Sequence, residues 1–368
     1  MAQTVISSAP EQRSAISAVP HLRVRRWPFG LLLALLVGVF LLSLVLGSVN
    51  IPLDNVIRVL LGGEADRASW NTIVMNVRLP RALTAMLAGA ALAVSGLQMQ
   101  TLFRNPLADP FVLGISSGAS VGVALVVLAA TGTVGAALVS GLGIFGQFSV
   151  AIAASLGAGA VMALVLLVAR KVQSPVTLLI VGLMFGYATS AIVSLMLYFS
   201  IAERIQAYIM WTFGSFGGVT WGQLIVLAPI ILAALALAMV LAKPLNALLL
   251  GEAYARTMGV NVRQARIGII TSAALLAGTI TAFCGPIGFL GVAVPHLCRS
   301  LFNTSDHRTL IPAVTLMGAL IALIADLIAQ VPGSQTVLPL NAVTALVGAP
   351  VVMWVILRRR HLRAAFAA

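Results

Sequence analysis

Long apolar runs alternate with short polar connections along most of this chain. The clearest run has no charged residue between Arg81 and Arg104, and it ends in a polar turn that contains Pro106. A helix of about 20 residues rises roughly 30 Å, which is the thickness of the hydrocarbon core of a bilayer. The run therefore predicts one membrane-spanning helix with an arginine at each end.

The same pattern occurs ten times and predicts an all-α polytopic membrane protein with about ten transmembrane helices. The eighth run is short and is interrupted by Gly288, Gly291 and Pro295, so we expect the least regular helix there. An even number of spans places both termini on the same side of the membrane. The predicted spans are Phe29–Val49, Ala82–Thr101, Phe111–Thr131, Gln147–Ala169, Val176–Ser200, Trp221–Ala242, Ile267–Cys284, Pro286–Phe302, Leu310–Gln330 and Val337–Leu357.

Composition agrees with a membrane protein, because 60% of the residues are hydrophobic and only 8% are charged. The net charge of +13 would suggest nucleic-acid binding in a soluble protein, but here the basic residues are distributed by side. With ten spans, the side that carries the termini holds 17 of the 22 lysines and arginines, which indicates that both termini are cytoplasmic. The basic surplus therefore reflects topology, and no nucleic-acid partner is expected. The opposite side holds Arg58, Arg67, Arg78, Arg81 and Arg204.

The apolar runs define one transmembrane domain over residues 29–358. Residues 1–28 are polar, basic and rich in serine and alanine, and we expect them to form a disordered cytoplasmic tail. Residues 359–368 are expected to form a short cytoplasmic C-terminal tail. The first apolar run is too long for the core of a signal peptide and lacks a convincing cleavage site, so it is expected to remain as the first span.

A weak internal repeat links two of the spans. Leu87–Gly96 and Leu276–Gly285 both read Leu-Ala-Gly-x3-Ala-x2-Gly, and the first lies on a span that runs inward while the second lies on one that runs outward. Opposite directions are typical of the inverted repeats of transport proteins. The alternative is that small residues recur wherever helices pack closely.

Most of the chemistry that drives transport or catalysis is missing from the sequence. Lys171 and Lys243 are the only lysines and neither follows a glycine, so the chain has no phosphate-binding loop for ATP. Asp326 is the only acidic residue within a predicted span, which is a poor basis for a proton relay, and we expect it to pack or cap a helix. The histidines show no metal-ligand spacing, and no catalytic set converges within the spans.

These absences favour a conduit whose energy comes from another molecule. The chain is not expected to be an enzyme, nor to hold a cofactor or a metal ion of its own. Two alternatives from other classes are an ion- or proton-driven secondary carrier and an intramembrane enzyme. The scarcity of buried charge disfavours the first, and the lack of convergent catalytic groups disfavours the second.

The predicted cytoplasmic loop before the seventh span, Leu250–Arg266, is the best candidate for contacting the molecule that supplies this energy. Glu252 and Arg256 are four residues apart, a spacing that allows an ion pair on one face of a helix. Gly251 and Gly259 stand where a short helix would begin and end. A short helix with apolar and charged faces at the membrane surface can enter a groove on a partner. The alternative is an ordinary connecting loop.

The sequence resembles the permease subunits of bacterial ABC importers for iron-siderophores, haem and cobalamin. The resemblance covers nearly everything after the N-terminal tail, and its motifs are specific only when taken together. They are Arg78-Leu79-Pro80-Arg81, Gly89–Gly96, Asn105-Pro106-Leu107-Ala108-Asp109-Pro110, Leu113–Ala119, Gly251–Gly259, Gly285–Gly291, Val294-Pro295-His296 and Thr344–Pro350.

This resemblance implies a type II importer permease in the bacterial inner membrane. It implies a homodimer around a central pathway, with two ATPase subunits that bind ATP and magnesium on the cytoplasmic side. It also implies a periplasmic or lipid-anchored binding protein that delivers the cargo. An iron(III)-siderophore is the expected cargo, and haem and cobalamin remain open because the pathway residues do not distinguish them.

The resemblance also assigns roles to the residues at the two ends of the spans. Arg78 and Arg81 match outer arginines that pair with acidic residues of the binding protein, and interfacial anchoring at a helix start is the alternative. The residues that match the helix coupled to the ATPase are Gly251, Glu252, Ala253, Arg256, Met258 and Gly259.

Two inner loops match a cytoplasmic gate, and the fifth span matches the pathway. Small or apolar side chains can block a bulky hydrophilic chelate by size, whereas ordinary turns and helix packing are the alternatives. The predicted gate residues are Asn105, Pro106, Leu107, Ser174 and Pro175. The predicted pathway residues are Met184, Tyr187, Ser190 and Ser194.

The chain departs from the family pattern at two positions near the predicted outer surface. Gln330 stands close to a place where the family often carries an arginine. Asn341 stands where the family often carries a glycine before the last span, and we expect it to adopt the left-handed turn that asparagine tolerates.

Overall fold

The computed structural model of the chain describes residues 27–128, 148–172, 175–334 and 336–365, and all regular elements within these ranges are helical. The N-terminal tail predicted over 1–28 therefore lies almost entirely outside the described residues. The helices are α1 Trp27–Val45, α2 Leu53–Leu60, α3 Ala68–Thr72, α4 Leu79–Leu102, α5 Ile115–Val127, α6 Ser149–Lys171, α7 Pro175–Tyr198, α8 Ala202–Thr212, α9 Trp221–Val240, α10 Ala242–Leu249, α11 Glu252–Thr257, α12 Val262–Cys284, α13 Leu290–Phe302, α14 His307–Gln330 and α15 Leu340–Ala365. A π-helical turn over Ile73–Arg78 joins α3 to α4, and a 3₁₀ turn over Pro110–Leu113 precedes α5.

The predicted all-α polytopic fold is confirmed. Seven helices of the described residues are long and apolar enough to cross a membrane, and three shorter apolar helices occupy the positions of the third, eighth and tenth predicted spans. Helix α13, at the position of the eighth predicted span, begins only at Leu290. The backbone before it is irregular, because Gly285 has a φ of 77° and Phe289 has a φ of 69°. The last helix continues to Ala365, past the predicted boundary of the C-terminal tail.

Helix α4 forms the centre of the subunit. Its residues from Ala88 to Leu102 are buried on every side, and it packs against α9, α12, α13 and α14. A helix that is apolar and buried all round is the core of a larger bundle rather than a lipid-facing span. By contrast, most of α7 is exposed within a single chain.

Glycine lets the central helices approach within backbone contact. A Cβ added at Gly89 would overlap the carbonyl oxygen of Gly318, and one added at Gly96 would overlap that of Gly291. Both glycines of the first repeat segment therefore have packing roles, as small residues have between membrane helices generally. The inverted repeat itself stays a prediction.

The contact between α5 and α6 allows a matched test of this packing. A Cβ at Gly157 would overlap the carbonyl oxygen of Gly118, whereas a Cβ at Gly159, two residues along the same helix, meets nothing within 4 Å. We expect Gly157→Ala to destabilise the protein by about 1–3 kcal/mol through overpacking. Gly159→Ala should be neutral or stabilise by up to about 1 kcal/mol, because alanine favours the helix over glycine. Thermal unfolding of both variants in detergent measures the difference, and equal midpoints would contradict it.

The bundle has two ends, which the chain reaches alternately. The predicted outer end carries residues 46–78, 199–220, 285–289, 331–334 and 336–339. The predicted cytoplasmic end carries residues 103–114, 172, 241–261 and 303–306. The candidate functional residues fall at both ends.

Candidate functional site

At the predicted outer end, Arg81 and Asp326 form an ion pair between α4 and α14. Arg81 Nε donates to both carboxylate oxygens at 3.0 Å, and Arg81 Nη2 donates to Oδ1 at 2.8 Å. The Arg81 side chain is 16% exposed and that of Asp326 is 3% exposed. Gln330 Nε2 also donates to Asp326 Oδ2 at 2.7 Å, so the residue that departs from the family pattern supports the same carboxylate. The sequence predicts that Asp326 packs or caps a helix, and in the structure it joins α14 to α4 through an ion pair with Arg81 that the sequence did not predict.

Arg78 lies one helical turn before Arg81 and is buried, with 6% of its surface exposed. Its Nη1 donates to the carbonyl oxygens of Leu44 at 2.7 Å and Val45 at 2.9 Å, and its Nη2 donates to that of Val49. Leu44 and Val45 are the last residues of α1, and the last carbonyls of a helix have no partner within the helix. Arg78 therefore caps the C-terminus of α1 with a positive charge, which also suits the helix dipole.

Both arginines predicted to dock the binding protein are thus bonded within the chain. Arg81 still lines a cavity of about 260 Å³ at the outer end, which Asp326, Phe213 and Leu338 also line. Arg78 does not line this cavity. The docking role of the two residues stays a prediction, and the structure gives each a second role in holding the outer ends of α1, α4 and α14 together.

Asn341 connects three segments at the predicted outer end, and the sequence did not predict these contacts. The expected left-handed turn is wrong, because Asn341 lies in the first turn of α15 and has no positive φ. Its Oδ1 accepts a hydrogen bond from Gly288 N at 2.9 Å, and its backbone N–H donates to the carbonyl oxygen of Phe213 at 3.1 Å. Asn341 therefore joins α15 to the loop before α13 and to the end of α8.

The predicted coupling helix is present at the cytoplasmic end as α11. Gly251 precedes it with a φ of 109°, and Gly259 follows it with a φ of 77°, as their predicted positions require. Ala255 is buried beneath the helix, whereas Tyr254 is 52% exposed and Met258 is 58% exposed. Ala253, Arg256 and Gly259 are exposed as well. One face of α11 thus anchors the helix and the other is free to meet a partner.

Glu252 pairs mainly with a residue other than the expected one. Its distance to Arg256 is 4.0 Å, and the Arg256 side chain is 61% exposed, which makes a weak pair. Its Oε1 instead accepts a hydrogen bond from Arg266 Nη2 at 2.5 Å, and the Arg266 side chain is 7% exposed. The first residue of the predicted coupling helix is therefore held by the second turn of α12.

The first predicted gate loop is held by α13. Asn105 Oδ1 accepts a hydrogen bond from Leu107 N at 3.0 Å, which forms a tight turn around Pro106. The carbonyl oxygen of Pro106 lies 2.8 Å from Nε2 of His296, a buried residue of α13. Asn105 and Leu107 are exposed at the cytoplasmic end, where a gate is expected.

Asp109 is the last residue of the same loop before the 3₁₀ turn over Pro110–Leu113. Its Oδ1 accepts a hydrogen bond from Phe111 N at 2.9 Å and begins the 3₁₀ turn. Burial of the carboxyl raises the pKa of Asp109 to about 6, and the hydrogen bond from Phe111 opposes the rise. Within the motif that supports the resemblance, Asp109 thus begins the 3₁₀ turn that leads into α5.

The second predicted gate loop follows α6. Ser174 lies outside the described residues, and Pro175 is the first residue of α7. Just before them, the carbonyl oxygen of Val172 accepts a hydrogen bond from Arg266 Nη1 at 2.9 Å. Arg266 thus contacts both this loop and the predicted coupling helix.

The predicted pathway residues share one exposed face of α7. Met184 is 51% exposed and Tyr187 is 65% exposed, and Ser190 and Ser194 are exposed as well. Ser194 Oγ donates to the carbonyl oxygen of Ser190 at 2.9 Å. Serine and tyrosine are unusual choices for a lipid-facing surface, so this face is a candidate for lining a path or meeting another copy.

Sequence reasoning predicted no contact for Arg266, which counted only as a cytoplasmic positive charge, or for His296, which counted only as part of a motif that supports the resemblance. Arg266 stands 14 residues from Glu252, a separation for which no helical spacing predicts a pair. Asp326 carried a usable signal, because an acidic residue inside a span needs a partner. Among the described residues, no group of three metal-ligating side chains is present.

Comparisons with known proteins place this architecture among transport permeases. The FecCD transport family matches residues 34–358. The vitamin B12 import system permease protein BtuC of Klebsiella pneumoniae is 38% identical over 353 residues, covering 95% of this chain and 99% of that protein. The hemin transport system permease protein HmuU of Yersinia pestis is 37% identical over 327 residues, covering 88% and 95%. A solved structure described as an inward-facing metal-chelate type ABC transporter has a TM-score of 0.77 and 30% identity, covering 90% of this chain and 98% of that chain.

Proposed function

The chain belongs to the FecCD transport family, and from this premise we propose that it imports a bulky metal chelate with energy from a separate ATPase. It is the permease of an ABC importer and a multi-pass protein of the inner membrane. Its own contribution is the path and the moving gates, whereas ATP and magnesium bind to the partner. Both termini face the cytoplasm in this proposal, as the distribution of lysine and arginine indicates.

The observation that carries the proposal is the exposed face of α11. Tyr254, Arg256 and Met258 project from a short helix whose other face is anchored at the cytoplasmic end. Exposed large apolar side chains beside a charge are typical of a docking surface. We propose that this face enters a groove on the ATPase and that Gly251 and Gly259 fix its position.

The exposed face of α7 supports a homodimer around a central pathway. Two copies that meet through this region would enclose Tyr187, Ser190 and Ser194 between them, away from lipid. Asn105, Pro106 and Leu107 would close the path at the cytoplasmic end, together with Ser174 and Pro175 of the second loop. Size exclusion by these residues suits a cargo that is large and hydrophilic.

The binding protein is proposed to dock at the outer end, near the cavity that Arg81 and Asp326 line. Because Arg78 is buried and bonded to three carbonyls, it supports this surface from beneath. The relatives named above are permeases for vitamin B12 and hemin, and the structural neighbour is a metal-chelate type transporter. Cobalamin or haem is therefore the first cargo to test, and an iron(III)-siderophore is the second.

Reconstitution tests this function. The permease is placed in liposomes together with its partner ATPase and binding protein, and uptake of cobalamin, haem and a ferric siderophore is measured with and without ATP. We expect uptake of one chelate that requires ATP. Uptake by the permease alone under an ion gradient would instead favour a secondary carrier and overturn the proposal.

A charged residue at the exposed face of α11 tests the docking step. We expect Met258→Asp to lower ATP-driven uptake by about tenfold or more, because it places a charge in an apolar contact. The matched control is Leu61→Asp, since Leu61 is 82% exposed at the opposite end of the bundle. The control should transport normally, and co-purification with the ATPase should fall only for Met258→Asp. Normal transport by both variants would contradict docking through α11.

A further inference from the structure

Helix α2, at the predicted outer end, carries apolar side chains on two different faces. Val56 and Val59 are buried in the core of the bundle. Leu53, Ile57 and Leu60 are also large and apolar, yet they are 46%, 41% and 36% exposed. A row of large apolar side chains on the open face of a helix marks a contact with a partner or a membrane.

The side chains of α2 occupy three separate sectors around the helix. At about 100° per residue, the exposed apolar residues share one sector, and the buried residues share a second sector about 120° away. Asp54 and Arg58 fill the third sector, where both side chains are exposed. Leu61 follows the last helical residue, and at helical spacing it lies next to the charged sector. A helix with one face on protein, one apolar face and one charged face fits the boundary between a bilayer and water.

The backbone places α2 at the depth where α1 leaves the membrane. Ile51 N donates to the carbonyl oxygen of Val45, the last residue of α1, at 3.2 Å. The chain therefore turns back at the end of α1, and α2 begins two residues later at Leu53. Leu42 on α1 and Val49 between the two helices are exposed as well, so the exposed apolar surface of α1 continues along the chain into α2.

The proposed dimer contact does not account for this apolar face. Helix α2 packs against α1 and the π-helical turn, and α1 packs against α14 and α4. Helix α7, through which two copies are proposed to meet, packs against α5 and α6. The two faces are therefore carried by different groups of helices, and a contact through α7 does not by itself cover α2.

Two residues beside α2 are of the kind found among lipid headgroups. The Arg67 guanidinium lies 5.1 Å from the centre of the Trp70 ring. The preceding residue, Asp66, accepts hydrogen bonds from Asn55 at 3.0 Å and from Arg58 at 2.9 Å, which ties this segment to α2. Tryptophan and arginine suit the place where a bilayer meets water, because each combines apolar surface with hydrogen-bond donors.

We propose that α2 is an interfacial helix that inserts Leu53, Ile57 and Leu60 into the outer leaflet of the membrane. These side chains reach the boundary between headgroups and acyl chains, while Asp54 and Arg58 stay in water. The helix thereby holds the outer end of α1 at one depth in the bilayer. The partner of this surface is the lipid itself, so the inference depends neither on the cargo nor on the ATPase.

Fluorescent labels on single introduced cysteines test this placement in the full-length permease. Both native cysteines, Cys284 and Cys298, are buried, so a label added to the intact protein attaches to a surface cysteine. Ile57→Cys puts the label on the apolar face, and Asp54→Cys, three residues earlier, puts it on the charged face. Each variant is placed in nanodiscs of phosphatidylethanolamine and phosphatidylglycerol. The quencher is either a lipid with a nitroxide near the top of its acyl chain or iodide in the water.

The two quenchers should act on opposite variants. We expect the nitroxide lipid to remove about half or more of the fluorescence of labelled Ile57→Cys, and iodide to remove little of it. Labelled Asp54→Cys should show the reverse, and Leu53→Cys is a second probe of the apolar face should Ile57→Cys fail to fold. Quenching of both variants by iodide alone would overturn the inference. Iodide quenching of Ile57→Cys that disappears when the binding protein is added would also overturn it, and would assign this face to that protein.

Discussion

Replacing Asp326 by alanine should lower the free energy of unfolding by about 3–5 kcal/mol, because it leaves the Arg81 guanidinium buried without its counter-charge. Three donor contacts within 3.0 Å join the two side chains, and the Asp326 side chain is 3% exposed. Thermal unfolding in detergent, or unfolding by titration with a denaturing detergent, measures the loss.

Removing both charges should be less harmful than removing one. We expect Arg81→Met with Asp326→Leu to recover most of the stability, since well-packed apolar residues often replace a buried ion pair without loss. The difference between the double variant and the sum of the single variants gives the coupling energy. Arg58→Met serves as the control, because the Arg58 side chain is 49% exposed and its pairs with Asp54 and Asp66 lie at the surface, where such pairs contribute little to stability. Additive effects at Arg81 and Asp326 would show that the pair is not a unit.

The spans and the short cytoplasmic helix α11 could be predicted because their signals are local; the coupling role of α11 stays a prediction. Each apolar run is as long as the bilayer is thick, and lipid forces such a run to satisfy its backbone within a helix. Gly251 and Gly259 adopt positive φ values, a backbone conformation that strongly favours glycine independently of the tertiary contacts around it. Helices α5 and α13, which lie within the third and eighth predicted spans, are shorter than those apolar runs, because glycine and proline near their starts replace the first turns with tighter or extended backbone.

The contacts that connect the ends of the bundle could not be predicted, because they are set by the tertiary fold. Arg81 and Asp326 are 245 residues apart, and their pairing depends on the close approach of α4 and α14 at Gly89 and Gly318. Basic residues near span ends were interpreted only as topological signals. Burial distinguishes the exceptions. Arg78, Arg81 and Arg266 are largely enclosed, and each joins elements that are distant in sequence.

This division between exposed and enclosed arginines bears on how the binding protein is recognised. An arginine that docks a partner carboxylate must reach solvent, and its replacement should weaken docking more at low salt than at high salt. Arg81 has some access through the outer cavity. Arg78 has little access, so its replacement should act on the fold first and on docking only as a consequence.

Replacing Arg78 by methionine should therefore produce a large loss of stability at every salt concentration. The change removes the charge and leaves three carbonyls without their donor, at the end of α1 and just after it. Hydrogen bonds to a charged group contribute about 1.5–3 kcal/mol each, and they are not fully additive, so we expect a loss of about 4 kcal/mol or more. Arg78→Lys should recover less than half of it, because one ammonium cannot reach acceptors that a planar fork spans.

Gly47→Ala separates the internal role of Arg78 from docking. A Cβ at this position would lie 2.8 Å from Arg78 Nη2, so alanine should displace the guanidinium while leaving its charge in place. If Arg78 acts by capping α1, Gly47→Ala lowers the unfolding midpoint in detergent as Arg78→Lys does, and added salt changes neither result. If Arg78 acts by docking, both variants keep normal unfolding midpoints, and Arg78→Met alone weakens the complex with the binding protein as salt is varied. The burial of the side chain and the position of its three acceptors favour the first result.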